Sequence, residues 1–329
     1  MSDTVARGAD WRAALADRGY GAGWALVRTV PPPLADRLFT LGADLAFERR
    51  GRGVRQLARN LRRVVPDAGP AELARLVRTA MRSYARYWRE AFQLPAVDHA
   101  AVRRTFDRGI ENPSALDEAM SAGRGVVVAL PHSGNWDMAG LWAAHRYGGL
   151  TTVVERLRPE SVYERFVAYR ESLGFEILPA DGGRRTMMTM LERLRAGGLV
   201  CLVADRDLSS GGVPVDFFGE RTRMPAGPAW LAARTGATLL PATTWFTPSG
   251  WGLRFARPVA AAGGAAGVAG ATQAVADAFA EEIGRHPEDW HMLQPLWLSD
   301  LRARGRRAEP GDARVAPRTG RETVKEPRP

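Results

Sequence analysis

Cysteine is almost absent from this chain of 329 residues, which contains only Cys201. A disulfide within the chain is therefore excluded, and so is a zinc site built on several thiolates. No apolar run reaches the roughly 18 residues that a transmembrane helix needs. The first residues, 1–19, have no apolar core of signal-peptide length. We therefore expect a protein that stays in the cytoplasm, where it can still lie on a membrane.

Lysine is equally scarce, because Lys325 is the single lysine in a chain of net charge +10. Arginine thus carries nearly all of the positive charge. Such a balance favours a polyanionic partner, either a nucleic acid or the anionic face of a membrane. A GC-rich genome would produce the same arginine bias, so charge alone does not decide between these partners.

The first segment, 1–95, is predicted to be helical and basic. Leucines recur at helical spacing after a run of prolines, and further helices are predicted over 54–64 and 70–92. Basic amphipathic helices with tryptophans such as Trp24 and Trp88 favour contact with a membrane surface. A helix packed on a core with a solvated basic face would show the same pattern. The leucines are Leu34, Leu38, Leu41 and Leu45, and the arginine face of the last helix comprises Arg75, Arg78, Arg82, Arg86 and Arg89.

From about residue 124, short β-branched runs alternate with helical patterns, which predicts an α/β fold with a mostly parallel sheet flanked by helices. We expect an α/β core over 96–301, a loose loop at the Gly- and Ala-rich stretch 258–270, and a disordered tail over 302–329. Predicted strands are Val126–Leu130, Thr151–Val154, Phe175–Leu178, Leu199–Val203, Thr238–Trp245 and Trp251–Phe255. Predicted helices cover about 135–147, 159–173, 186–196, 225–235 and 267–285.

The strongest local signal follows the first of these strands, in the segment 131–137. His132 stands at the carboxyl end of the strand, where ligands bind in α/β sheets. Asp137 comes about one turn later, and a carboxylate beside an imidazole can fix its tautomer for taking a proton from a hydroxyl group. Gly134 allows close approach of a substrate to the backbone. A structural histidine with an aspartate helix cap is the alternative interpretation.

Other catalytic arrangements have less support. Ser133 lies next to His132, but the surrounding H-S-G-N sequence is not the G-x-S-x-G of a serine hydrolase. No phosphate-binding P-loop or G-x-G-x-x-G dinucleotide pattern is present. His291 is a weaker candidate because no predicted strand end presents it.

The segment Pro131-His132-Ser133-Gly134-Asn135-Trp136-Asp137 resembles the H-x4-D motif of the lysophospholipid acyltransferase superfamily, in the version of its lipid A biosynthesis branch. Further segments resemble the actinobacterial phosphatidylinositol mannoside acyltransferases, and this resemblance covers about residues 18–301. The H-x4-D motif alone is weak evidence for this family, whereas the whole set of segments occurring in this order is strong evidence. The further segments are Tyr84–Glu90, Glu155–Leu157, Tyr169–Gly174, Ala204–Asp207, Val215–Glu220, Met224–Ala229 and Trp290–Pro295.

The resemblance implies a single glycerolipid-acyltransferase-like α/β domain whose N-terminal helices dock on the cytoplasmic face of the cell membrane as a peripheral protein. It implies transfer of a long acyl chain from acyl-CoA, a co-substrate rather than a cofactor, to a mannose hydroxyl of a phosphatidylinositol mannoside. His132 would then be the general base with Asp137 as its partner. Asp205 would assist the histidine, from a position that is glutamate in some members. The implied substrate-binding residues are Arg170, Glu155 and Arg206, and no metal is implied.

Three rival functions remain open at this point. A lipid A-type acyltransferase would use an acyl carrier protein as its donor. A basic nucleic-acid-binding protein would fit the charge, although no recognised nucleic-acid-binding motif is present, and we expect no nucleic-acid partner. A thioesterase would use water in place of the sugar hydroxyl.

Overall fold

The computed structural model describes residues 30–156, 160–207 and 211–303. Trp24, Leu157 and most of the predicted tail lie outside these residues. The described helices are α1 (Pro32–Arg49), α2 (Arg52–Val64), α3 (Pro70–Gln93), α4 (His99–Gly109), α5 (Ser114–Ser121), α6 (Trp136–Tyr147), α7 (Glu160–Ser172), α8 (Gly183–Arg195), α9 (Gly227–Thr235), α10 (Gly264–Arg285) and α11 (Leu298–Ala303). Short 3-10 helices cover Leu94–Ala96 and Pro287–Asp289.

The strands form a seven-stranded sheet and a separate two-stranded hairpin. The strands are β1 (Ile110–Glu111), β2 (Val126–Leu130), β3 (Leu150–Val154), β4 (Phe175–Pro179), β5 (Leu199–Val203), β6 (Val213–Phe217), β7 (Glu220–Met224), β8 (Thr238–Thr247) and β9 (Gly250–Phe255), with β6 and β7 forming the hairpin. In the sheet the order is β1-β9-β8-β2-β5-β3-β4, and all neighbouring pairs are parallel except the antiparallel pair β8 and β9. The predicted mostly parallel α/β sheet is therefore confirmed.

Strand β2 lies at the centre of the sheet and is buried along its whole length. Because side chains alternate along a strand, it contributes to hydrophobic cores on both faces. Val127 and Ala129 pack in the core shared with helices α2, α3, α8, α9 and α10. Val126, Val128 and Leu130 pack in the core shared with α4, α5 and α6. The carboxyl end of β2 is consequently fixed from both sides.

The N-terminal helices contribute to the core as well as to the surface. Leu57 and Leu61 of α2 and Val77 of α3 belong to the same core as the sheet. The arginine face of α3 is not free along its length, because Arg78 and Arg82 both bind Asp44 of α1. The division of the chain at residue 95 stays a prediction.

The leucines of α1 are exposed. Their exposed fractions are 49% to 64%, so this stripe does not pack on the described core. The stripe consists of Leu34, Leu38, Leu41 and Leu45. Among residues 30–156, 160–207 and 211–303, no helix combines the length and the apolar character needed to cross a bilayer.

Two local features of the structure differ from what the sequence predicts. The predicted loop over 258–270 is wrong beyond residue 263, because α10 already begins at Gly264. The β6–β7 hairpin was not predicted as two strands. Its two-residue turn, Phe218-Gly219, has positive φ at both positions (49° and 75°), the geometry of a type I′ turn. Phenylalanine is unusual there, so the sequence lacks the Asn-Gly or Asp-Gly signal that normally marks such a hairpin.

Candidate active site

The turn between β2 and α6, residues 131–135, is held by backbone hydrogen bonds to the segment after α10. His291 N donates to His132 O (2.8 Å), and Gly134 N donates to Asp289 O (2.9 Å). Gly134 has φ +56°, and a Cβ atom there would lie 2.6 Å from the backbone of Thr244. Only glycine fits this position without displacement of β8, so the turn presents His132 in a defined place.

His132 is held by a buried carboxylate, that of Asp205 at the end of β5. The backbone N–H of His132 donates to Asp205 Oδ2 (3.0 Å), and His132 Nδ1 lies 2.5 Å from Oδ1. Asp205 has no exposed surface, whereas 31% of the His132 side chain is exposed. The shorter side chain of aspartate therefore reaches the imidazole from behind and leaves the other ring nitrogen, Nε2, on the open side.

The indole of Trp290 completes the environment of Asp205 by donating its Nε1–H to Oδ2 (2.9 Å). Burial by itself would raise the pKa of Asp205, but the charge of His132 and the hydrogen bonds from His132 and Trp290 hold that pKa below its ordinary value. An ionised Asp205 fixes the Nδ1–H tautomer of His132 and stabilises an imidazolium. Nε2 then carries the lone pair that a general base needs.

Asp137, predicted as the partner of His132, binds a different residue. Its Oδ1 and Oδ2 each lie 2.8 Å from the guanidinium of Arg170, with Nε and Nη2 as donors. The prediction that Asp137 holds the imidazole of His132 is thus wrong, because both carboxylate oxygens of Asp137 bind Arg170 of α7. Its membership of the site is unaffected, since Asp137 and Arg170 both line the cavity next to His132.

The Asp137–Arg170 pair is buried and has further partners. Tyr87 Oη donates to Asp137 Oδ2 (3.3 Å), and the guanidinium carbon lies 4.9 Å from the ring centre of Phe166. Burial would lower the pKa of Arg170, but the charge and hydrogen bonds of Asp137 raise it above its ordinary value. Arg170 therefore stays a cation in the cavity wall. Because Asp137 and Arg170 are both buried, this pair is not a surface salt bridge.

A cavity of about 320 Å³ borders these residues, and its lining contains both polar and apolar side chains. Arg206 donates to Glu155 across 3.1 Å, and this ion pair belongs to the lining. Five of the six predicted site residues, His132, Asp137, Glu155, Arg170 and Arg206, line the cavity. Asp205 does not, because it lies behind His132.

The apolar side of the cavity adjoins a smaller cleft of about 40 Å³ between the sheet and α6. Leu130, Trp136, Gly140 and Cys201 line both spaces. The cleft is lined by apolar residues alone, among them Leu116, Val128, Trp142, Leu199 and Phe255. Burial raises the pKa of the Cys201 thiol to about 12, so Cys201 acts here as an apolar group.

Ser133 and Phe217 do not line the cavity. Ser133 is completely buried, and its hydroxyl does not line the cavity. Phe217 is buried with its ring stacked on Trp297, 6.0 Å between centroids. Phe218 does not line the cavity either, so both rings contribute to packing and not to the site. Within the described ranges, no group of three or more His, Cys, Asp and Glu residues could hold a metal ion.

Most of the hydrogen-bond network that supports the site is not evident from the sequence. Glu90 of α3 is buried and accepts hydrogen bonds from Asn135 Nδ2 and Trp251 Nε1, both at 2.7 Å. Asn135 in turn caps α6 by accepting from Met138 N (3.1 Å). The segment Trp290–Pro295 was singled out from the sequence, but its contact with the site could not be derived without the fold. His291 belongs to the cavity lining although no strand end presents it.

Comparison with known proteins identifies the family to which this chain belongs. A model of bacterial lipid A biosynthesis acyltransferases matches residues 15–299. The chain belongs to this family and is an acyltransferase. It is 53% identical over 287 residues to a phosphatidylinositol mannoside acyltransferase of Mycolicibacterium smegmatis, covering 87% of this chain and 92% of the relative. A protein of the same name from Mycobacterium tuberculosis is 52% identical over 294 residues, covering 89% of this chain and 92% of the relative.

Proposed function

We propose that this acyltransferase moves a long acyl chain from acyl-CoA to a mannose hydroxyl of a phosphatidylinositol mannoside. The names of the relatives support the acceptor. The observation that carries the mechanism is the placement of His132 on the cavity wall with Nδ1 held by buried Asp205. This arrangement suits a general base for a hydroxyl nucleophile.

In the proposed reaction, His132 Nε2 takes the proton of the mannose hydroxyl while its oxygen attacks the thioester carbonyl carbon. The C–O bond forms and gives a tetrahedral oxyanion, and Asp205 stabilises the imidazolium. The intermediate then collapses as the C–S bond breaks. The imidazolium returns its proton to the departing thiolate, so ester and free thiol are the products and the enzyme is regenerated.

Asp137 and Arg170 form the polar wall beside the base, and we assign them to the acceptor. A carboxylate with a bidentate guanidinium presents fixed acceptors and donors, which suits neighbouring hydroxyl groups of a sugar ring. Glu155 and Arg206 lie further along the same lining. Arg206 provides positive charge there, which suits the polar portion of the acyl-CoA donor or the acceptor headgroup.

The apolar side of the cavity and its adjoining cleft are proposed to receive the acyl chain. Gly140 of α6 lines both the cavity and the cleft. A Cβ atom at this position would lie 2.7 Å from the ring of Phe175. The absence of a side chain there keeps the apolar space open. An alkyl chain in this space would be removed from water, at roughly 0.8 kcal/mol for each methylene group.

The exposed leucine stripe of α1 is proposed to dock on the cytoplasmic face of the cell membrane. An exposed apolar stripe with adjoining cationic residues is typical of helices that lie in a membrane interface. The chain supplies such charges, since four arginines are exposed at the end of α1 and the start of α2: Arg49, Arg50, Arg52 and Arg55. Docking would bring the cavity to its lipid acceptor as a peripheral enzyme.

The decisive test is the mass of the lipid product made from a defined acyl-CoA and a defined phosphatidylinositol mannoside. The proposal predicts an acyl ester on a mannose ring and equimolar release of free CoA. Parallel reactions with an acyl carrier protein thioester test the rival donor. Hydrolysis of acyl-CoA unaffected by added mannoside would instead support a thioesterase and contradict the proposal.

A further inference from the structure

A second polar chain lies beside the catalytic turn and involves Ser83 of α3. Ser83 Oγ lies 2.5 Å from Asp289 Oδ1 and 2.9 Å from His291 Nε2. All three residues are buried. A hydroxyl group has one proton, so Ser83 can donate to only one of its two neighbours and must accept from the other. The protonation of Asp289 therefore determines which nitrogen of His291 bears hydrogen.

The opposite nitrogen of His291 lacks a partner. Nδ1 is buried and makes no hydrogen bond with any described residue. His291 is only 7% exposed, yet it belongs to the lining of the cavity that also contains His132. A buried polar atom without a partner is costly, which suggests that a ligand group binds there.

We propose that Asp289, Ser83 and His291 form a relay that sets the tautomer of His291, so that Nδ1 accepts a hydrogen bond from a hydroxyl group of the sugar acceptor. The identity of this hydroxyl group rests on the proposed function, whereas the relay does not. With Asp289 ionised, Ser83 donates to Asp289 and Nε2–H of His291 donates to Ser83. Nδ1 then has a free lone pair.

Protonation of Asp289 reverses every donor in the relay. Asp289 then donates to Ser83, Ser83 donates to Nε2, and the histidine proton resides on Nδ1. In that state Nδ1 is a donor and can no longer accept from a hydroxyl group. His291 thus contacts the acceptor directly, whereas Ser83 and Asp289 are positioning residues that set its hydrogen-bonding character.

Burial of Asp289, modified by its hydrogen bonds and neighbouring charges, places this reversal near pH 6. Burial raises the pKa of Asp289 to about 6. Hydrogen bonds from Ser83 and Phe246 N oppose the rise, Glu288 adds to it and Arg86 counters it. We therefore expect an ionised Asp289 at pH 8 and a protonated one at pH 5.

His291 itself stays neutral over this range. Burial lowers its pKa to about 3, with a further decrease from His132 and an opposing effect of Asp205. Four aromatic rings also surround His291, with centroids 5.5 Å (Tyr84), 5.9 Å (Tyr87), 6.4 Å (Trp136) and 6.3 Å (Phe246) from its own. The pH change thus alters the tautomer of His291 and leaves its charge unchanged.

Nitrogen-15 NMR of the histidine rings tests the relay without any substrate, because the chain has only five histidines. The signals of His291 are assigned by their loss in His291→Phe. We expect the Nε2–H tautomer at pH 8 and the Nδ1–H tautomer at pH 5. Asp289→Asn should give the Nδ1–H tautomer at both pH values, since its amide oxygen must accept from Phe246 N and its NH2 group then donates to Ser83.

The matched control is Glu288→Gln, which removes a neighbouring negative charge but leaves the relay intact. In this variant the tautomer of His291 should still change with pH. The same tautomer at pH 5 and pH 8 in the unmodified enzyme would overturn the relay. So would an unchanged tautomer in Asp289→Asn.

Steady-state kinetics test the contact with the acceptor. His291→Phe should raise the KM for the mannoside about tenfold or more, and this rise should be several times larger than any change in the KM for acyl-CoA. Equal rises in the two KM values would contradict this contact and indicate a general structural role. If the unmodified enzyme acylates no mannoside at all, the proposed function fails, and the NMR result still decides the relay.

Discussion

Asp205 and Trp290, which are 85 positions apart in the chain, meet at 2.9 Å behind the imidazole of His132. Asp205 also accepts from the backbone N–H of His132, so one carboxylate fixes both the main chain and the ring of the histidine. The histidine therefore has its tautomer set by a buried anion, while Asp137 of the H-x4-D motif is engaged by Arg170.

Asp205→Asn tests whether the Asp205 carboxylate contributes to catalysis or only to the structure. The asparagine can donate an amide hydrogen to Nδ1 and so favour the Nε2–H tautomer, which is not a base on the cavity side. We expect kcat to fall by roughly 10²–10⁴-fold, with little change in either KM. Unchanged kcat in a folded Asp205→Asn protein would contradict the assignment.

Asp137→Asn should act on stability as well as on activity. The substitution leaves the buried guanidinium of Arg170 without its anion, and breaking a buried ion pair in this way costs about 3–5 kcal/mol. Chemical denaturation measures the change in the free energy of unfolding. Arg146→Gln breaks an exposed ion pair with Asp117 and serves as the control, with an expected loss of under about 1 kcal/mol. Equal losses in the two variants would show that the Asp137–Arg170 pair is not buried as described.

Gly140→Ala should shorten the acyl chain that the enzyme prefers. The new methyl group would press on the Phe175 ring and narrow the apolar space. Exclusion of one or two methylene groups costs roughly 1–2 kcal/mol, so kcat/KM for the longest accepted acyl-CoA should fall about 5- to 30-fold relative to shorter ones.

A competition assay with acyl-CoA of graded length measures this shift. Gly270→Ala on α10 is the matched control, because nothing lies within 4 Å of its Cβ position. An identical length profile in Gly140→Ala and the parent would argue that the acyl chain binds elsewhere.

His291 and Asp289 should affect acid stability with opposite signs. The pKa of His291 in the folded protein is about 3, so below pH 6.5 the unfolded chain binds a proton that the folded one does not. Stability from this residue is present above pH 6.5 and decreases as pH falls, by on the order of 3 kcal/mol between pH 7 and pH 4. Asp289 has a raised pKa of about 6, so its contribution decreases as pH rises from about 4 to 6.

Denaturation at several pH values therefore distinguishes the two residues. Relative to the parent, His291→Phe should lose less stability on acidification, and Asp289→Asn should lose more. Parallel pH profiles in all three proteins would contradict the burial of these groups.

The exposed leucines of α1 should contribute to membrane binding. Leu38→Ser combined with Leu41→Ser should weaken binding to vesicles of anionic phospholipid by roughly 2 kcal/mol, about thirtyfold, if each half-exposed leucine contributes about 1 kcal/mol. Met188→Ser, at an exposed residue of α8, is the control. Vesicle binding that is equally strong in both variants would exclude α1 as the docking surface.

Local patterns in the sequence predicted the sheet well. β2 and β5 have their predicted bounds because continuous apolar runs mark strands buried on both faces. The helical leucine spacing of α1 was recognised, but spacing alone does not say whether a stripe faces the core or the outside. In α3, likewise, the arginine periodicity was visible, whereas the pairing of Arg78 and Arg82 with Asp44 depends on how two helices meet.

The site was predictable only in part, for the same reason. His132 follows a buried strand, so its position at the sheet edge could be derived from the chain. The sequence alone could not decide whether Asp137 or Asp205 is the partner of His132. That choice depends on the parallel pairing of β2 with β5, which places Asp205 behind the His132 ring. Ser83, Asp289 and His291 come from distant segments and meet only in the folded protein.

The most direct test of the central claim compares His132→Ala with the parent in a single reaction mixture of defined acyl-CoA and phosphatidylinositol mannoside, with the acylated lipid quantified by mass spectrometry. His145→Ala, at an exposed position of the adjacent helix α6, controls for the loss of an imidazole. We expect His132→Ala to retain the parent's melting temperature while product formation falls by at least about 10²-fold, and His145→Ala to remain active. Product formed by His132→Ala at the parent's rate would contradict the central claim.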